Sequence, residues 1–292
     1  MQVIEIDNKI SPLQTIHSSK GNQLKWNLGD TWVKADSLGY EGLAEVLASK
    51  LLERSTVNNY VHYELAKIHW QRRWYDGCVS DNFRTEGWQL VTLEKLYRKM
   101  TGLSLAETIA HFGETREKII YLVDFVQNLT GLEHFGRYLA TMLEMDAFFL
   151  NEDRHTNNIA VMYRPETGKF DYCPYFDFGA GFYSDTLGDY PLKEIGASKA
   201  VERVISVEEQ IEEFANVICA KPFCPHFDEQ ADAATALYGS DLKFTVGKRE
   251  LLKIWTQIRS EYEISVKTDA PEVCERVETV LRMQIRKYGN LF

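Results

Sequence analysis

The sequence predicts an α+β chain built as two lobes, a small β-rich N-lobe over residues 1–83 and a larger, mostly helical C-lobe over 84–292. Three observations carry this prediction. Up to about residue 83, short runs rich in β-branched and aromatic residues alternate with turns. From about residue 90, apolar residues recur near the 3.6-residue period of a helix. At 292 residues and 45% hydrophobic, the chain is also long enough to bury a sizeable core.

In chain order, "LQTIHSS", "QLKWNL", "TWVKAD", "NYVHYELAKIHW" and "GCVSDNF" read as strands. One helix interrupts them, "GYEGLAEVLASKLLERS" at 39–55, with Leu43, Val46, Leu47, Leu51 and Leu52 along its apolar stripe. Downstream, "LVTLEKLYRKM", "LSLAETIAHF", "REKIIYLVDFVQNL" and "LEHFGRYLATMLEMDAFFL" read as helices. Between 159 and 177, "NIAVMY" and "KFDYCPYF" flank "RPETG", whose Pro and Gly mark a hairpin turn. Helices resume around 191, with "VEEQIEEF" and "RELLKIWTQIRSEYEI" forming C-lobe core and a platform.

The formal charge of −10, from 33 basic and 43 acidic residues, argues against direct nucleic-acid binding or attraction to an anionic membrane. Any phosphate site must therefore be local. Cys78, Cys173, Cys219, Cys224 and Cys274 show neither a CxxC pair nor zinc spacing, which points to reduced thiols and a cytoplasmic location. The N-terminal "MQVIEIDNKISP" lacks the basic and apolar regions of a secretion signal, and no apolar run approaches the ~18 residues that would span a bilayer. His155 lacks a second His or Cys at metal-ligand spacing, and no Gly-x-Ser-x-Gly elbow is present. The aromatic residues, 12% of the chain, are spread through core-like patterns without interleaved basic residues.

The chemistry concentrates in "LNEDRHTNNIAVMY" and "YFDFGAGF". Asp153 follows a long apolar helix that fixes its loop from below, Asn158 lies five residues on, and Asp177 opens a second loop after the paired strand. The hairpin brings both loop ends to one edge. An acid to orient a hydroxyl, with an amide oxygen and a second carboxylate to hold Mg²⁺, is the set phosphoryl transfer requires.

The spacing Asp-x-x-x-x-Asn, followed some twenty residues later by Asp-Phe-Gly, resembles the catalytic and metal loops of the protein-kinase-like fold. The Asp-Arg-His order of "DRHTNN" is similar to that of HipA-like Ser/Thr kinases and of the phosphoinositide-kinase-related families. This resemblance covers roughly residues 10 to 240 and implies ATP and Mg²⁺ as cofactors. It also implies a protein substrate and an antitoxin-like or regulatory protein partner. By the same resemblance, Asp153 orients the acceptor hydroxyl while Asn158 and Asp177 hold the metal. Lys34 of "TWVKAD" grips the phosphates, with Glu41 as its first expected partner on the following helix and Glu45 as its second. "IHSSKGNQLKW" has one Gly, unlike the Gly-x-Gly-x-x-Gly of eukaryotic kinases, but resembles the Ser-containing phosphate loop of HipA-like chains. Ser18, Ser19, Lys20 and Gly21 are accordingly ATP-binding candidates, with Ser18 and Ser19 also candidates for autophosphorylation. "DGCVSDNFRTEGWQLVTLEKL" at 76–96 resembles the lobe connection of smaller HipA-like kinases, so adenine is expected to meet backbone at Val79, Ser80, Asp81 and Asn82. Arg154 is expected to steady its loop. A lipid or small-molecule kinase and a nucleotide-binding scaffold without turnover stay open as alternatives.

Overall fold

The computed structural model describes residues 1–13, 23–192, 206–265 and 270–292. Five strands form the N-terminal sheet: β1 (Gln2–Glu5), β2 (Lys25–Asn27), β3 (Thr31–Ala35), β4 (Glu64–Trp70) and β5 (Arg73–Asp81), in the order β1-β4-β5-β3-β2. All neighbours are antiparallel except β1 and β4. The sequence reading omitted β1, because its four residues become a strand only through a partner more than sixty residues away. Most of "LQTIHSS" lies outside the described residues.

One face of this sheet closes over Trp26, Val33, Ala66, Ile68 and Val79. Leu65 and Cys78 point the other way, into the core that contains α1 (Glu41–Leu52). That helix is buried nearly all round, Glu41, Glu45 and Ser49 included, rather than along a single stripe. A helix apolar on every side is one packed between layers, and here the sheet covers one side and the helical lobe the other.

Beyond the N-terminal sheet lies a three-stranded sheet, β6 (Gln89–Thr92), β7 (Ala160–Arg164) and β8 (Lys169–Tyr172), in the order β6-β7-β8. "LVTLEKLYRKM", expected as one helix, begins as β6, because Leu90 and Val91 pair with Met162 and Val161. Thr92 then caps α2 (Leu93–Thr101) by accepting from the Lys95 amide. α3 (Leu105–Ala110), α4 (Thr115–Thr130) and α5 (Phe135–Phe149) follow. After β8 come α6 (Val207–Phe214), α7 (Phe227–Tyr238), α8 (Lys248–Ser265) and α9 (Ala270–Lys287). Almost every α5 side chain is buried, and Leu150 ends it in the left-handed region at φ 57°. This turn delivers the chain into the loop carrying Asp153. Among the described residues, no helix is long and apolar enough to cross a membrane.

Candidate active site

The loop after α5 is organised by a buried ion pair. Arg154 is 1% exposed and spans both carboxylate oxygens of Asp146, Nε to Oδ2 at 2.9 Å and Nη2 to Oδ1 at 3.0 Å. Its Nη1 donates to the carbonyls of Asn158 (3.0 Å) and Phe176 (2.8 Å), so one guanidinium ties α5, the Asp153 loop and the strand leading to Asp177 together. Burial pushes the Asp146 carboxyl up, and Arg154 opposes that shift. Planar, always-charged Arg suits such a fork where Lys does not.

Asp153 and Asn158 are held as a unit, since Asn158 Nδ2 donates to the Asp153 carbonyl at 2.8 Å. That bond leaves the Asn158 Oδ1 as the atom with cation-binding chemistry. Asp177 occupies the left-handed region at φ 65°, a conformation costly for a non-glycine residue and typical of functional sites. The Asn151 Nδ2 donates to its carbonyl at 3.2 Å.

Lys34 Nζ bonds Glu45 Oε1 and also donates to Asp177 Oδ1 at 2.9 Å. The other Glu45 oxygen accepts from the Phe178 amide at 2.9 Å, so α1 holds both the strand lysine and the Asp-Phe-Gly turn. The expectation that Glu41 comes first is corrected here. Glu41 folds back onto the turn before α1 and accepts from the amides of Leu38 (2.7 Å), Gly39 (2.9 Å) and Ser37 (3.2 Å), so its oxygens are engaged locally. Glu45, one turn further on, faces Lys34.

Burial disfavours the Asp177 carboxylate, but Lys25 and Lys34 overcome this and hold the group well below the usual carboxylate range. Burial likewise disfavours the Lys34 cation, yet Asp177 and Glu45 raise its pKa well above the ordinary lysine value. The sequence reading missed Lys25, whose Nζ lies 3.7 Å from Asp177 Oδ1. Strand alternation was the available signal: Trp26 enters the sheet core, so Lys25 and Asn27 face away from it.

Two adjoining cavities share Lys25, Asn158 and Asp177. The first, about 410 Å³, lies between the lobes and is walled by Trp32, Phe83, Leu90 and Phe176, with Lys34 and Ser80 among its polar lining. The second also contains Asp153, His155 and Gly179. Of the expected adenine contacts, Ser80 lines the interlobe cavity, and Val79, Ser80 and Asp81 also line a separate hollow with Thr31 and Glu64. Val79 and Ser80 are committed to the ladder with Val33 and Trp32, Asp81 pairs with Thr31, and the Asn82 amide donates to the Asp30 carbonyl at 2.7 Å. Phe83 and Arg84, just beyond, also line the cavity, where Arg84 lies 4.8 Å over the Trp32 ring and Phe83 stacks on Phe176. Ser18, Ser19, Lys20 and Gly21 lie outside the described residues.

The oxygens of Asn158 and Asp177 fit Mg²⁺, which takes hard ligands and is commonly held by one or two protein carboxylates together with substrate phosphates. Among the described residues, no three His, Cys, Asp or Glu side chains converge as a metal centre.

The fold is protein-kinase-like. The chain is similar to the Helicobacter pylori proinflammatory kinase CtkA, with a TM-score of 0.61 at 15% identity, covering 99% of this chain and 96% of that one. Against HipA in the Shewanella oneidensis MR-1 complex of HipA, HipB and operator DNA, the TM-score is 0.44 at 13% identity, over 98% of this chain and 67% of that one. No family model and no curated protein matches the sequence.

Proposed function

We propose that this chain is an ATP-dependent phosphotransferase acting on the hydroxyl of a protein Ser or Thr. The observation that carries the reading is the convergence of Lys34, Asp153, Asn158 and Asp177 on two adjoining cavities, one apolar enough for a base and one open to an acceptor. CtkA, described as a kinase, shares the fold along its length, which supports the class of reaction.

Bound ATP supplies the phosphoryl group, and Mg²⁺ neutralises phosphate charge. Asn158 and Asp177 would hold the metal, and Lys25 and Lys34 would face the phosphates. Glu45 keeps Lys34 extended from β3, and its second oxygen holds the Phe178 amide, so the cation and the metal ligand keep a fixed separation. Asp153 orients the acceptor hydroxyl and takes its proton. Catalysis in this site is positioning together with electrostatic stabilisation.

The acceptor-side cavity carries Glu41, Glu152, Asp153, Asp177 and Asp185 against Lys25, a wall that disfavours an anionic inositol headgroup and suits a neutral or basic peptide. Incubation with [γ-³²P]ATP and either a basic protein or phosphoinositide vesicles tests the choice. Label is expected in the protein; label confined to the lipid would replace this reading with a lipid kinase.

A further inference from the structure

The loop between α6 and α7 brings a third lysine to the site, from a part of the sequence that showed no catalytic pattern. Lys221 Nζ donates to Asp153 Oδ1 at 3.3 Å. His155 also lies beside this carboxylate, its Nε2 3.7 Å from Oδ2. Lys25 and Lys34 are paired with Asp177 instead. Among the described residues, Lys25 and Lys34 thus stand at the Asp177 end of the cleft and Lys221 at the Asp153 end.

The backbone beneath Lys221 is fixed to a degree that a surface lysine does not need. Gln230 of α7, fully buried, donates from Nε2 to the Lys221 carbonyl at 3.0 Å and accepts the Phe223 amide at Oε1 (3.4 Å). The Ala220 amide donates to the Pro225 carbonyl at 2.9 Å, and Lys118 of α4 donates to the Phe223 carbonyl at 3.0 Å. Ala220 packs with Ala147, Phe227 and Ala231, which fastens the loop to α5 one residue from Asp146. The same helix therefore positions both Asp153, through Arg154, and the loop that aims Lys221 at it.

Resting on the phosphotransferase reading above, we propose that Lys221 is a catalytic residue that binds the phosphoryl group during transfer. An ammonium has three donors, so one can stay on Asp153 while another meets a phosphoryl oxygen. In the transfer, the acceptor oxygen forms a bond to the γ-phosphorus and the bond from that phosphorus to the β-bridging oxygen breaks. The electron pair of the broken bond leaves with ADP, and the hydroxyl proton passes to Asp153. Charge spread over the moving phosphoryl oxygens is what a fixed cation at this end stabilises, and that stabilisation is greatest in the transition state.

The test compares wild type with Lys221→Met and Lys221→Arg. Turnover is followed with Mg·ATP, and calorimetry measures affinity for Mg·ATP, for Mg·ADP and for Mg·ADP with aluminium fluoride, which imitates the phosphoryl group in flight. Lys221→Met is expected to lower kcat by about 10²- to 10³-fold, the range for loss of one transition-state donor. It should leave Mg·ATP affinity and melting temperature unchanged and abolish the extra affinity conferred by the fluoride. Lys221→Arg should recover most of both. Fluoride enhancement equal to wild type in Lys221→Met overturns the role of Lys221, as does a joint loss of ATP affinity and melting temperature. A wild-type protein that neither turns over nor binds Mg·ATP overturns the phosphotransferase reading itself.

Discussion

At the scale of single residues, the site is a set of charges whose ionisation is set by their neighbours. Asp177 is held anionic against burial by Lys25 and Lys34. Because its folded pKa is depressed, its contribution to stability is present above the unfolded carboxylate value of about 3.9 and is lost as pH falls toward the folded value. Lys34 is raised, so its contribution is present below its ordinary value of 10.5 and is lost as pH rises through the higher folded one. The acid limb of the stability curve is therefore expected to be shallower in Asp177→Asn than in wild type. Denaturant midpoints measured from pH 7 to pH 3 check this; parallel curves would contradict it. Lys34, Asp153, Asn158 and Asp177 were legible as a group because each sits in a short motif with fixed spacing. Lys25 and Lys221 were not. Lys25 reads as an ordinary strand residue, and Lys221 reaches Asp153 across 68 positions.

At the scale of elements, α1 joins the two lobes through two glutamates with different tasks. Removing one partner of a buried ion pair costs about 3–5 kcal/mol. Asp177 still pairs with Lys34, so Glu45→Gln should fall at or below the low end of that range, while kcat drops because the Phe178 amide and Lys34 lose their common anchor. Glu41→Ala should cost about 1–2 kcal/mol through three unsatisfied amides and leave Lys34 in place. Chemical denaturation together with kcat separates the pair: a larger loss of activity in Glu41→Ala than in Glu45→Gln reverses the assignment. The sequence ranked Glu41 first, but both residues share a helix face, and only the path of β3 decides which one meets Lys34. α1 also meets the segment after Asp177 at very close range. A Cβ on Gly39 would lie 2.0 Å from the Ser184 carbonyl, and the Tyr40 hydroxyl donates to the Phe182 carbonyl at 2.6 Å. Arg154 is the corresponding element joint in the helical lobe. Arg154→Met should cost about 3–5 kcal/mol by stranding Asp146, and thermal melting reads the loss.

At the scale of the whole molecule, one hydrophobic core runs from α1 and Cys78 through α5 to α9, so the sheet and the helical lobe share their main packing. From α9, the buried Arg276 donates to the carbonyls of Tyr190 (2.6 Å) and Pro191 (2.7 Å), and the Tyr190 hydroxyl donates to Glu152 at 2.7 Å, beside Asp153. The last long helix thereby holds the chain at Tyr190 and Pro191 and, through Tyr190, reaches the residue before Asp153. Helix content and the two-lobed division were readable from periodicity, whereas β1 and β6 depend on distant pairing and Arg276 on tertiary contact, which local pattern does not record. Against a net charge of −10, Lys25, Lys34 and Lys221 are a local concentration of positive charge. The central claim is that one cleft divides acceptor activation from metal binding, and calorimetry with Mg·ATP beside single-turnover transfer from [γ-³²P]ATP tests it most directly. Asp153→Asn is expected to bind Mg·ATP like wild type and to transfer about 10²- to 10⁴-fold more slowly, whereas Asp177→Asn should lose both binding and transfer. Wild-type transfer by Asp153→Asn, or undiminished Mg·ATP binding by Asp177→Asn, would contradict the account.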